Sequence, residues 1–328
     1  SRDTAPFALG IPPRPGAAGR ARNALLTWST DRFVFGDLQR AAARQVRDIV
    51  GAELRTPVMN YPSLADAVVQ FSVPEFEYPR TDVRTRVHFV GPVSLADASS
   101  IPVPDWWGDL DADRPVVHVT QGTVANADLN DLVLPTIDAL ADRDVLVVAT
   151  TGGRELPRRP LPANARMAAY LPYDRLFPRT SVLVTNGGYG GVHYALAHGV
   201  PVVATGNTED KAEVAARVAW SGVGLRLKPT RTGIAPTRIA HAVDEILGNG
   251  SYRERAAHIG LPLQLDPVDY GAFSHREVHP QVLDVDQDFF RVGSSVLRVI
   301  TDSGFDVGCH EASAKVVSSL SFSQQAEK

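Results

Sequence analysis

Val182-Leu-Val-Thr-Asn-Gly-Gly-Tyr-Gly-Gly-Val192 is the stretch that decides how this chain is read. It is a short apolar, β-branched run, then a loop with four glycines, then helical spacing that continues to Ala197. Glycine has no Cβ and tolerates positive φ, so such a loop lets backbone approach a ligand closely. The helix behind it aims free N–H groups and its positive dipole end at the same point, which makes an anion site suited to phosphate. Taken alone, the segment is also what a tightly packed strand-to-helix turn requires. It is neither G-x-G-x-x-G nor a P-loop, because no Lys-Ser/Thr pair follows it. A dinucleotide site would also place the loop after the first strand of its domain, whereas here it follows a late one.

Outward from the loop, residues 115–260 alternate between short apolar runs and helical patterns. Val116–Thr120, Val145–Thr150, Arg166–Ala169, Val182–Thr185, Val202–Thr205 and Gly224–Leu227 read as strands. Leu129–Leu140, Glu209–Trp220 and Pro236–Leu247 read as helices. Continuous apolar strands separated by helices predict an α/β, doubly wound Rossmann-like domain with a parallel sheet covered on both faces. Ligands of such domains sit at the carboxyl ends of the strands.

Three further segments fall at those ends. Thr120-Gln121-Gly122-Thr123 offers a glycine and hydroxyls to phosphate oxygens, and equally an ordinary turn with a helix cap. In Ala169-Tyr170-Leu171-Pro172-Tyr173, Tyr170 suits stacking on a base and the Leu171 backbone suits reading its edge; aromatic residues before proline are also common packing elements. Gly206-Asn-Thr-Glu-Asp-Lys211 places a carboxylate and an ammonium where sugar hydroxyls would lie, although a helix start rich in Asn, Thr, Glu and Asp is also normal capping.

The flanking regions differ in texture. Residues 1–114 are rich in Pro and Arg and contain one amphipathic helix, Asp37–Val50, with Leu38, Ala42, Val46 and Ile49 at helical spacing. Val68–Ser72 and Val87–Val90 read as strands, and Pro102, Pro104, Trp106 and Trp107 as a linker whose aromatics pack across a domain boundary. Residues 261–328 form an atypical tail: Pro262, Pro267 and Pro280 oppose long helices there, and Val296–Ile300 is one of its few apolar pieces.

Composition narrows the function classes. The 328 residues are 44% hydrophobic and 21% charged, ordinary for a soluble globular chain, with room for two domains. A formal net charge of −4 gives no footing for nucleic acid. No apolar run reaches the roughly 18 residues of a membrane span, and the opening Ser1-Arg-Asp-Thr-Ala-Pro does not read as a signal peptide. Cys309 is the only cysteine, so no intramolecular disulfide forms, which suits a cytoplasmic location. The first residue is not Met, which suggests a processed chain or a piece of a longer one.

Together the four segments resemble the donor-binding half of inverting, nucleotide-sugar-dependent glycosyltransferases of the GT-B fold. The branch they resemble is the bacterial macrolide-type one, related to the UDP-glucosyltransferases. The resemblance runs from about Asn23 to Ala256 and is strongest over Pro115–Leu227; Ala197-His-Gly-Val-Pro201 and Ala215-Ala-Arg-Val218 also look familial. In that family the loop reads His-Gly-Gly-x-Gly-Ser/Thr and holds the donor diphosphate. Here Gly187, Gly188 and Gly190 match, Asn186 stands at the His position and Gly191 at the Ser/Thr position. The resemblance further implies that Gln121, Gly122 and Thr123 lie near the β-phosphate and that Tyr170 and Leu171 meet the base. Tyr173 stands at the place of a frequent Gln, and Asp210-Lys211 at the Asp/Glu-Gln pair that contacts sugar hydroxyls. Asn186 brings no imidazolium charge, and Lys211 is expected to replace part of that cationic character.

On this resemblance the chain is expected to move a hexosyl or deoxyhexosyl group from a UDP- or dTDP-sugar to a small hydroxylated acceptor, with inversion, without cofactor or metal. Residues 1–114 would be the remnant of an acceptor domain plus linker, residues 115–260 the complete donor domain, and the fold GT-B. The family's base is a His near the start of the acceptor domain, oriented by an Asp, and no segment here carries it. His88 reads as a packing residue on a strand, and His193, His198 and His241 lie on donor-domain helices, so no catalytic residue is identified. The alternative is a catalytically incomplete nucleotide-sugar-binding module, a truncated enzyme or auxiliary partner. A sugar-nucleotide epimerase of similar fold would need acid/base residues in the cleft that the sequence does not show.

Overall fold

In the computed structural model the alternation becomes two parallel sheets. The structure describes residues 1–91, 101–124, 126–206, 210–230 and 233–264, with backbone only for 262–264. The expected tail beyond 264, including Val296–Ile300, lies outside the described residues. The first sheet has two strands, β1 (Ala67–Gln70) and β2 (Arg86–Phe89), preceded by helices α1 (Gly16–Ser29) and α2 (Gly36–Val50). The second has six: β3 (Val116–Thr120), β4 (Leu146–Thr150), β5 (Ala165–Ala168), β6 (Val182–Thr185), β7 (Val202–Ala204) and β8 (Gly224–Arg226). Its order is β5-β4-β3-β6-β7-β8 and every pairing is parallel. Counted within the domain this is 3-2-1-4-5-6, the doubly wound order, and its switch point lies between β3 and β6.

The strands hold this arrangement because both faces are covered. Every residue of β3, β4 and β6 is buried. One face packs on α3 (Val133–Ala139) and α7 (Pro236–Gly248) through Val117, Val147, Ile137, Ile239 and Val243. The other packs on α5 (Tyr189–Ala197), α6 (Lys211–Ser221) and α8 (Ser251–Gln264) through Leu183, Val202, Leu196, Val214 and Ile259. A third cluster joins the linker: Trp107 and Leu110 bury against Val116, Leu146, Val148 and Leu171, with the Arg175 guanidinium 5.5 Å from the Trp107 ring. The aromatic Trp107 therefore packs on the six-stranded sheet and the residues that follow it.

Three expectations change. The Leu129–Leu140 helix is broken into a 3₁₀ turn, Leu129–Asp131, and the shorter α3. Pro135 explains the start: it lacks an N–H and fits only the first helical turn, and Gln121 Oε1 caps α3 by accepting from Val133 N at 3.0 Å. Helix α8 runs to Gln264 across Pro262, past the point where the sequence shows no helix; Ala256 and Ile259 anchor it against α5. His88 is exposed on β2, so it is not the packing residue expected from strand position alone. Helix α2 forms as predicted, but its apolar Leu38 and Ile49 are exposed.

His118 on β3 sets a pH limit on this core. It is wholly buried, its Nδ1 donates to Val148 O at 2.9 Å, and its ring meets Tyr173 and Phe177 edge-on. Burial pushes its pKa down to about 4, against the opposing hydrogen bond to Val148. The unfolded chain takes up this proton below about pH 6.5 while the folded chain resists until about 4, so stability falls as pH drops through that window. Thermal melts between pH 7 and 4 are expected to show a loss of up to about 3 kcal/mol from this group. The loss should shrink in His118→Leu; an unchanged slope would rule His118 out as its source.

Candidate functional site: the carboxyl ends of the parallel strands

Register places the four segments on one edge. Thr120 on β3 pairs with Thr150 and Thr185, Thr150 with Ala168, and Thr185 with Ala204. The chain therefore leaves β3, β5, β6 and β7 at one level, over the switch point. Buried threonines shape the exits: Thr120 Oγ1 accepts from Gly122 N at 3.1 Å, and Thr185 Oγ1 from Gly187 N at 3.3 Å. Each is a hydroxyl turn that redirects the backbone two residues on.

The glycines divide into two kinds. Gly187 has φ +89°, and a Cβ there would stand 3.3 Å from Lys211 O, so it is needed for backbone conformation and for close packing on α6. Gly188, Gly190 and Gly191 meet nothing within 4 Å at their Cβ positions, which leaves open space over the N-terminus of α5. Gly188 is the N-cap, no side chain caps this helix, and its first N–H groups face that space.

The loops are tied across the switch point. Asn186 Nδ2 donates to Gln121 O at 2.6 Å, so part of its donor capacity holds the β3 and β6 exits together. Gln121 turns its side chain inward: Nε2 donates to Asp128 O at 2.9 Å while Oε1 caps α3. Gly122 and Thr123 are exposed beside it. Asn126 was not singled out by sequence. It is buried, and its Nδ2 donates to Gly122 O, Thr151 O and Gly152 O at 2.9–3.2 Å, binding the β3 exit to the β4 exit. No periodicity marks an asparagine inside a loop, and only the fold brings residues 122 and 152 to it.

Tyr170 is half exposed, with its hydroxyl over the Gly153 backbone. Leu171 buries its side chain in the cluster with Trp107, leaving its main chain for any base contact. Tyr173 opens the short helix α4 (Tyr173–Leu176), and its ring packs against His118, Phe177 and Tyr194; its hydroxyl is 3.5 Å from Thr150 Oγ1, just below the strand end. Asp210 is the N-cap of α6, and Lys211, the first residue of that helix, is largely buried behind Gly187 and Gly206. Residues 207–209 lie outside the described residues. Thus Gln121–Thr123, Asn186–Gly191, Gly206 and Lys211 lie together at the carboxyl ends of the strands, and Tyr170 lies against Gly153, next to the Gly152 that meets Gly122. Among the described residues no group of three or more His, Cys, Asp and Glu is placed to hold a metal ion, and no helix is long and apolar enough to cross a membrane.

Doubly wound domains take their ligands at such a switch point. Comparison with known proteins narrows the class. Residues 134–267 match the family model for the erythromycin biosynthesis protein CIII-like C-terminal domain. The chain is 51% identical over 262 residues to 4'-demethylrebeccamycin synthase of Lentzea aerocolonigenes, covering 79% of this chain and 61% of that one. It is 35% identical over 275 residues to UDP-glycosyltransferase 2 of Phaeomoniella chlamydospora, covering 79% and 58%. The chain thus spans about three fifths of the length of the curated relatives it matches. Among solved structures, the glycotransferase of kitacinnamycin superposes with a TM-score of 0.59 at 22% identity, over 80% of this chain and 67% of that one. The calicheamicin glycosyltransferase CalG4 does so with 0.56 at 24%, over 74% and 64%; at these identities they share the fold. The chain is thus similar to the erythromycin biosynthesis protein CIII-like family over residues 134–267 and to curated glycosyltransferases over four fifths of its length, and its fold is that of GT-B glycosyltransferases.

The two kinds of glycine separate experimentally. Gly187→Ala should lower stability by about 1–2 kcal/mol, because it forces a side chain into a positive-φ position. Gly191→Ala, inside α5 with open space around it, should be neutral or stabilising by up to about 1 kcal/mol. Chemical denaturation of both variants checks this; equal losses would contradict the assignment.

Proposed function

We propose that the chain supplies the donor site of a glycosyltransferase that moves a hexosyl or deoxyhexosyl group from a UDP- or dTDP-sugar to a small hydroxylated acceptor of secondary metabolism, with inversion. The observation that carries this is the uncapped N-terminus of α5 under open glycines, at the switch point and bordered by Tyr170. In this reading the N–H groups of residues 189–191 and the helix dipole take the diphosphate and stabilise it as the leaving group, the electrostatic part of the catalysis. Gly122 and Thr123 approach the β-phosphate. Tyr170 stacks on the base and the Leu171 main chain reads it, with Tyr173 supporting that wall. Asp210 faces the sugar hydroxyls, and Lys211 adds positive charge beside the loop. Asn186 holds the loop to Gln121 and contributes a neutral donor. No metal or cofactor enters the reading.

Residues 1–114 are then the acceptor-side portion with its linker, residues 115–260 the donor domain, and 261–328 an appended tail in a cytoplasmic protein. A second reading, nucleotide-sugar binding without transfer, is favoured by one observation: no histidine among the described residues stands free at the crevice in a base's position. His118 and His193 are buried, His198 is half-buried at α5's far end, and His88, His241 and His258 lie on β2, α7 and α8.

Calorimetric titration of the chain with UDP and dTDP tests the donor site, and product analysis with a UDP-sugar and a phenolic acceptor separates the two readings. Binding of at least one diphosphate is expected, and Gly191→Ala should weaken it by crowding the phosphate. Lys211→Gln should weaken it and flatten its salt dependence. Failure of both nucleotides to bind would sink the proposal, and an unchanged Lys211→Gln would remove that lysine's role.

A further inference from the structure

Tyr189 opens α5 at the centre of the glycine loop, and residues more than 100 positions earlier hold it. Its hydroxyl accepts from Gln70 Nε2 at 2.8 Å and donates to Glu77 Oε1 at 2.8 Å. Glu77 Oε2 accepts from Arg217 Nε at 3.1 Å, and Arg217 Nη1 donates to Glu213 Oε2 at 3.2 Å. Glu213 Oε1 takes the Gly10 N–H at 2.7 Å. The three charged side chains are each no more than 10% exposed. The Tyr189 main chain is held as well: its carbonyl accepts from His193 Nδ1 at 2.9 Å, and Ser72 Oγ lies 2.8 Å from His193 Nε2. That serine–imidazole pair is not a nucleophile and its base, because Ser72 is fully buried and His193 is 1% exposed, out of reach of a substrate.

We propose that Tyr189 is a positioning residue, the point at which residues 70–77 fix the direction of the glycine loop's N–H groups. The physical reason is precision. Helix N-terminal donors stabilise a diphosphate only when held within about 0.5 Å of the productive geometry. The loop itself has four glycines and no side-chain cap, so it cannot supply that rigidity. The tether can: a buried carboxylate shared between a phenol and a guanidinium tolerates little displacement, since loss of either partner leaves a buried charge unpaired. Burial, reinforced by the Glu77 carboxylate, raises the Tyr189 pKa and keeps the phenol protonated as a donor. The functional readout rests on the donor-site reading, whereas the tether itself does not.

The test uses the full chain and Tyr189→Phe, which keeps the ring contacts with Phe76 and His193 and removes only the hydroxyl. Amide hydrogen exchange without nucleotide should be several-fold faster for residues 187–191 in the variant and unchanged in β3, β4 and β6. UDP affinity should fall about tenfold, the scale of one lost hydrogen bond to a charged group. Asn164→Ala serves as the comparison: its Nδ2 donates to Leu140 O, Arg143 O and Val145 O at the opposite end of the sheet, so it lowers stability without touching the loop. Unchanged exchange in Tyr189→Phe, or an affinity loss no larger than that of Asn164→Ala, would overturn the proposal. Should the wild type bind neither UDP nor dTDP, the donor reading fails, and the exchange comparison still decides the tether.

Discussion

The parallel register of β3 against β6, closed by the Asn186–Gln121 hydrogen bond, is the constraint on which the site depends. Register alone brings Thr120 and Thr185 level, and the two hydroxyl turns then throw Gly122 and Gly187 outward side by side. A one-residue slip would reverse every side chain of a strand between the two covered faces. Since both faces are fully packed, with Val117, Val147 and Val184 on one and Leu183 and Val202 on the other, such a slip is strongly opposed. Site geometry is therefore a consequence of core packing, and no local device in the loops would hold it alone.

On this frame the polar groups do two distinct jobs. Gln121, Asn126 and Asn186 join loop to loop, and their amides are directed at backbone carbonyls. The N-terminus of α5 keeps its own N–H groups uncapped. In the proposed reading the side-chain amides serve the framework and the main-chain donors the diphosphate, whose charge is spread over several oxygens and is met by several N–H groups at once. The network from Gly10 through Glu213, Arg217 and Glu77 to Tyr189 extends the framework to the amino-terminal residues, so the glycine loop is braced by side chains more than 100 positions earlier.

Much of this was legible in the sequence because periodicity and punctuation are local. The apolar runs at 116–120, 182–185 and 202–205 marked the strands, and the glycines marked the turn. Length was less legible. Pro135 shortened α3, and packing of Ala256 and Ile259 carried α8 through Pro262, where propensity argues for a stop. The long-range polar partners were hidden altogether. Nothing near residue 77 announces Arg217, and nothing near 126 announces Gly152, because such pairs exist only once the sheet order is set. Asn186 shows the same limit: nothing around it in the sequence announces that its Nδ2 donates to Gln121 O.

In the proposed function a diphosphate binds on the main chain at the start of α5. Hydrogen exchange of the wild-type chain in saturating UDP, compared with uridine, tests it most directly. Slowed exchange at residues 187–191 and 122–123 is expected with UDP, and little change there with uridine. Protection confined to other segments, or equal protection by uridine, would contradict it.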